Sequence, residues 1–198
     1  MAKALWLLVF FAVLTWSAVN PHDRITWWLE VAPALIGFGL IVTTYKRFPL
    51  TPLLYGLVLA HCVVLMVGGH YTYAEVPGFS GWFGSERNNY DKIGHFFQGF
   101  VPAILAREIL IRKQVVNGGR WLALFVVSVC LAFSAFYELI EWWVAELSGE
   151  GAEAFLGTQG YVWDTQSDMA MALLGSIVGL LSLSKLHDGQ LRGLPKTT

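Results

Sequence analysis

Six stretches of this chain, 4–19, 26–44, 50–69, 93–111, 121–144 and 169–185, are apolar over close to the length a helix needs to cross a membrane. A hydrocarbon core of about 30 Å takes roughly 20 residues at the helical rise. Backbone groups placed in lipid have no water to bond, so such stretches must satisfy themselves internally and fold as helices. The chain is therefore predicted to be an all-α polytopic membrane helical bundle of about six transmembrane helices. It forms one domain over 1–198, with outer loops at 70–92 and 145–168. The 56% hydrophobic and 14% charged composition excludes an ordinary soluble domain, and little chain remains to build one.

The first stretch also has features of an export signal, since Lys3 precedes an apolar run and the small residues Ser17 and Ala18 follow it. The run reaches Val19 without an A-x-A site, so retention as the first span is expected. The net charge of −1 says nothing about nucleic acid or an acidic partner, and with no basic run to suggest one, no nucleic-acid partner is expected. Cys62 and Cys130 lie inside apolar stretches with no neighbouring cysteine or histidine at ligand spacing, so they read as buried thiols.

Charge sets the orientation. Alternating six spans collects Lys3, Lys46, Arg47, Arg107, Arg112, Lys113, Arg120, Lys185, Arg192 and Lys196 on one side, 10 of the 13 positive residues. Only Arg24, Arg87 and Lys92 fall opposite, so the positive-inside rule puts both termini in the cytoplasm. The long loops then face outward. They carry turn residues (Pro77, Gly78, Gly81 and Gly84, then Gly149, Gly151, Gly157 and Gly160). Trp82, Phe83, Tyr90, Trp142, Trp143, Tyr161 and Trp163 crowd that surface as an interfacial belt would.

On the same outward side, ionisable residues gather at the ends of four spans: His70, Asp91, His95, Glu138, Glu141, Asp164 and Asp168. Such residues are costly near lipid and point to a functional site with a nameable partner. Asp91 and His95 are four apart, Glu138 and Glu141 three, Asp164 and Asp168 four, so each pair shares a helix face if helix extends that far. Five carboxylates with one or two imidazoles cannot all be ionised close together without compensation, so protons or a cation must be present. Paired ligands on facing helices suit a divalent metal such as Zn, Mn or Fe. Asp91, His95, Asp164, Asp168 and His70 are the metal-ligand candidates, and Glu141 and Glu138 the catalytic ones. Each has a plainer role as well. Asp91 and Asp164 suit helix starts, and His70 suits an ordinary interfacial position. His61, about 14 Å deeper than His70 at the helical rise, is expected to stay out of the cluster. Glu30 either joins it or pairs with Arg24. Arg107 and Glu108 are read as inner-face anchors, Gly175 and Gly179 as a close helix contact, and Gly99 with Pro102 as the hint of a break in span 4.

The stretches Tyr90-Asp91-Lys92-Ile93-Gly94-His95-Phe96-Phe97-Gln98-Gly99-Phe100, Phe136-Tyr137-Glu138-Leu139-Ile140-Glu141-Trp142 and Val162-Trp163-Asp164-Thr165-Gln166-Ser167-Asp168 resemble the YjdF family of bacterial inner-membrane proteins, over nearly the whole chain. More distantly, Asp91, Lys92, His95 and Phe96, with Asp168, Gly175 and Gly179, resemble the VanZ-like family, which is linked to low-level teicoplanin resistance. Ala172 departs from that second pattern, which often has asparagine there. The resemblance implies an inner-membrane location and a shared site, and brings no reaction.

Three functions fit these residues. One is a site without turnover that binds a metal ion or a polar cell-envelope ligand. Another is a metal-dependent hydrolase of a lipid or lipid-linked phosphate ester, in which metal-bound water attacks and a spare carboxylate acts as base. The third is a structural polar network. The lipid bilayer is the expected partner in each.

Overall fold

The computed structural model describes residues 2–81, 86–116, 118–148 and 158–194. Trp82, Phe83, Gly84, Gly149, Gly151, Gly157 and Lys196 lie outside the described residues. Among the described residues there are six helices and no strand beyond one isolated bridge: α1 (Ala2–Ala18), α2 (Arg24–Thr44), α3 (Pro52–His70), α4 (Tyr90–Arg112), α5 (Gly119–Ser148) and α6 (Asp164–Leu191). Four of them, α2, α3, α5 and α6, are long and apolar enough to cross a membrane. The apolar α1 is shorter, at 17 residues. Although 23 residues long, α4 carries Asp91, Lys92, His95, Arg107 and Glu108. It tolerates them because α3, α5 and α6 pack around it, so its polar side chains face protein and not lipid.

Local chemistry sets the helix ends. The Asp23 carboxylate accepts the Thr26 N–H at 2.6 Å and caps α2, and these N–H groups hold its carboxyl below the ordinary range. Thr51 caps α3, with Pro52 at the first helical position. The N-terminal ends of α4 and α6 reach back to Tyr90 and Asp164, and α5 continues to Ser148, so helix occupies parts of the expected loops 70–92 and 145–168. Acidic residues in the first turns of α4 and α6 favour those extensions through the helix dipole. The expected break in span 4 is absent: α4 runs through Gly99 and Pro102.

The closest packing joins α4 to α6. A Cβ on Gly99 would collide with the Ala172 carbonyl, and one on Gly175 with the Phe96 carbonyl, so both positions need glycine for the backbones to touch. On the other flank, Phe10, Trp27, Val31, Ala34, Cys62 and Met66 form a core that joins α1, α2 and α3. At the Tyr90 end of α4, Tyr73, Val76 and Tyr90 make a small third cluster. Tyr90 therefore departs from the expected interfacial belt. It is buried and donates its hydroxyl to the Val64 carbonyl, while Trp142, Trp143, Tyr161 and Trp163 remain exposed.

Candidate metal centre

Three helix ends deliver the site. The first two turns of α4 place Asp91, Lys92 and His95 against α6, which presents Asp164 and Asp168, while α5 presents Glu138 and Glu141 one turn apart. All five acids and the histidine at these positions of α4, α5 and α6 are buried. The predicted pairings thus meet, with one exception. His70 sits on the α1 side, its Nδ1 3.0 Å from the Ser17 carbonyl and its ring against Trp16 and Tyr71.

Two cations thread the acids. Lys92 Nζ lies 2.5 Å from Asp168 Oδ1, 2.8 Å from Asp164 Oδ1 and 2.6 Å from Ser167 Oγ. The Arg87 guanidinium reaches Asp91 at 3.0 Å and Asp164 at 2.5 Å. It also donates to the Thr158 carbonyl at 2.8 Å, which ties the α3–α4 connection to the segment before α6. Asn88 and Gln159 complete that tie by exchanging backbone-to-side-chain hydrogen bonds of 2.8 and 3.0 Å. Nothing in the local spacing of either segment reveals this pairing, because it spans 71 residues.

The inner edge of the cluster is less satisfied. His95 Nε2 lies 3.3 Å from Asp91 Oδ1 and 3.9 Å from Asp168 Oδ1. Its Nδ1 faces Gln98 Oε1 at 3.1 Å and Glu138 Oε1 at 3.8 Å. With the Gln98 oxygen as acceptor, Nδ1 carries a proton; Nε2 then faces the two aspartates, donating to Asp91 when the ring is charged and free to ligate a cation when it is neutral. One ligand atom from each of Asp91, His95 and Asp168 falls within 4.8 Å of the others. Glu138 Oε1 is buried with no hydrogen-bond partner.

Below this triad lies a cavity of about 90 Å³ lined by Glu30, Pro33, His61, Leu65, Tyr73, Asp91, Gly94, His95, Gln98, Tyr137 and Glu141. It has room for a few waters. His61 thus lines the same space as His95, contrary to the depth estimate, because the site extends inward from the helix ends along α3 and α4. Burial keeps the Tyr73 phenol far above its ordinary range, so it stays neutral. Gln98, Tyr73 and Tyr137 were not singled out by sequence reasoning. Helical spacing could have found Gln98, which lies one turn beyond His95.

A helical membrane bundle whose central polar helix gathers carboxylates, histidine and basic residues at one end defines the class. The chain belongs to the family described as predicted membrane protein DUF2238, whose model matches residues 2–189. It is 53% identical over 188 residues to the inner membrane protein YjdF of Escherichia coli (strain K12), covering 93% of this chain and 90% of that one. No solved structure matches. These comparisons support the nearer family resemblance and do not show the VanZ-like one.

Proposed function

We propose that this chain is an inner-membrane protein, as its relative's name describes that protein, and that it binds a divalent cation at Asp91, His95 and Asp168. The side chains face outward and both termini lie in the cytoplasm. The observation that carries the reading is the His95 ring. Its Nδ1 rests on Gln98 while Nε2 faces two carboxylates within reach of a common point. An acceptor held against one imidazole nitrogen is how proteins orient the other toward a metal. Glu138 Oε1, orphaned 3.8 Å from the same ring, supplies a fourth ligand oxygen. The mixture of carboxylate and imidazole favours Zn, Mn or Fe over Ca or Mg.

A second reading is favoured by one observation. Lys92 contacts both Asp164 and Asp168, so the same residues form a self-compensated structural network. Metal titration separates the two. Calorimetry with Zn and Mn on detergent-purified protein is expected to show saturable binding in wild type and none in Asp168→Asn; absence of binding in both leaves the network reading. The hydrolase reading is weaker, because Arg87 and Lys92 are already engaged by three carboxylates and a phosphate would have to displace them.

A further inference from the structure

The cavity beneath the triad has chemistry that the metal reading leaves unused. Glu141 is 9% exposed and lines the cavity, with no hydrogen bond or ion pair among the described residues. Across from it, Glu30 is 6% exposed and meets only the Tyr137 hydroxyl, at 3.5 Å. His61 Nε2 is buried with no partner. Two buried carboxyl groups and a ring nitrogen thus line one space with the Tyr137 hydroxyl as their donor among the described residues, an arrangement that is costly unless a proton, a further donor or a cation enters.

We infer that this cavity binds a primary ammonium group, presented by a lipid headgroup or by a free small amine. An ammonium brings one positive charge and three N–H donors, which matches Glu30, Glu141 and His61 as acceptors. Pro33 and Leu65 give the same cavity an apolar wall, which accommodates a short carbon stem and offers nothing to a bare ion. The ring of Tyr73 adds an aromatic face.

The packing of the bundle gives a route. The cavity is walled on two sides by α2 and α5, which meet through the Tyr137–Glu30 hydrogen bond and are not among the closely packed helix pairs. On this proposal the gap between them is the way in from the bilayer. On the loop side Tyr73 covers the cavity, its ring seated where a side chain on Gly68 or Gly94 would collide with it. Its φ of +55° is one that L residues rarely adopt, so the loop holds the ring there against local backbone preference. Entry from the membrane side is consistent with a headgroup amine.

The test uses full-length protein. Calorimetry with ethanolamine hydrochloride should show saturable binding to wild type, and tetramethylammonium, which has no N–H donor, should bind at least about tenfold more weakly. A Glu30→Gln, Glu141→Gln double variant, checked for unchanged thermal unfolding, should lose ethanolamine by a similar factor. Native mass spectrometry from nanodiscs then separates the sources. Retention of phosphatidylethanolamine over phosphatidylglycerol by wild type only assigns a lipid; ethanolamine binding without such retention assigns a free amine. Equal binding of the two ammonium probes to wild type overturns the inference even where the double variant fails to fold, and so does the absence of both. Asp168→Asn keeps this outcome apart from the metal reading, since it should abolish metal binding and leave ethanolamine binding in place.

Discussion

At the scale of single residues, Lys92 decides between a site and a scaffold. Its ammonium satisfies Asp164 and Asp168 together, and it lies over the ring of Tyr161 at 5.8 Å. Removing one partner of a buried ion pair costs about 3–5 kcal/mol. Lys92→Met is therefore expected to lower the unfolding temperature of the metal-free protein. It should also tighten metal binding, because Asp168 no longer has an ammonium competing for its oxygen; calorimetry beside differential scanning fluorimetry checks both. Asp23 makes a smaller, separable contribution as the cap of α2. Asp23→Ala should cost about 0.5–2 kcal/mol. Because its folded carboxyl is held low by the Thr26 N–H, that contribution is complete above the ordinary carboxyl value of 3.8 and is lost as pH falls through the lowered one. Thermal unfolding from pH 7 down to 2, wild type against Asp23→Ala, should converge at the acidic end. His61 shows a limit of reading depth from sequence. Its distance from His70 was a sound helical estimate, but His70 packs on Ser17 and Trp16 and so is not a marker of where the cluster ends.

At the scale of elements, the α4–α6 contact organises both ends of the molecule. Gly175 and Gly179 were legible as a close-approach pair from spacing alone, whereas their counterpart Gly99 was not, because its need for a bare backbone comes from Ala172, 73 positions away. Gly99→Leu should separate the helices and destabilise the fold by at least the 1–3 kcal/mol or so typical of overpacking, read as loss of thermal stability in detergent. The pairings on α4, α5 and α6 were legible because three- and four-residue spacings report one helix face. The inner-face network was read as anchoring and is more than that. Glu108, fully buried, accepts from His187 Nε2 at 3.0 Å, from Thr51 Oγ1 at 2.8 Å and from Arg112 at 2.7 Å, while Arg107 reaches Asp188 at 2.6 Å. It binds the start of α3 to α4 and α6, and its partners were hidden by separations of 57 and 79 residues. Glu108→Ala should cost about 3–5 kcal/mol by leaving Arg112 and His187 short of a buried counter-group. It should leave metal affinity unchanged, since this network is at the other end of α4.

At the scale of the whole molecule, the bundle has a polar group of side chains at each end of one central helix, and the distribution of positive charge distinguishes the two ends. With Arg107, Arg112, Lys113 and Lys185 beside the Glu108 network, the account puts that end in the cytoplasm and the triad outward. A reporter active only in the cytoplasm, fused after the C-terminus, should be active, and one active only outside should not. The all-α class and the gathering of acids were readable from hydropathy and spacing because both follow from the membrane as solvent. Arg87 and Lys92 were readable as neighbours of Asp91 from their adjacency in the chain; that they also reach Asp164 and Asp168 was not, since that joins segments far apart in the sequence. The central claim is that Asp91, His95 and Asp168 hold a divalent metal. The most direct measurement is elemental analysis of detergent-purified wild-type protein beside a His95→Ala, Asp168→Asn variant, each after reconstitution with Zn, Mn or Fe and removal of free ion. The account predicts about one metal ion per chain in the wild type and none in the variant. Metal at the same level in both, or in neither, would contradict it.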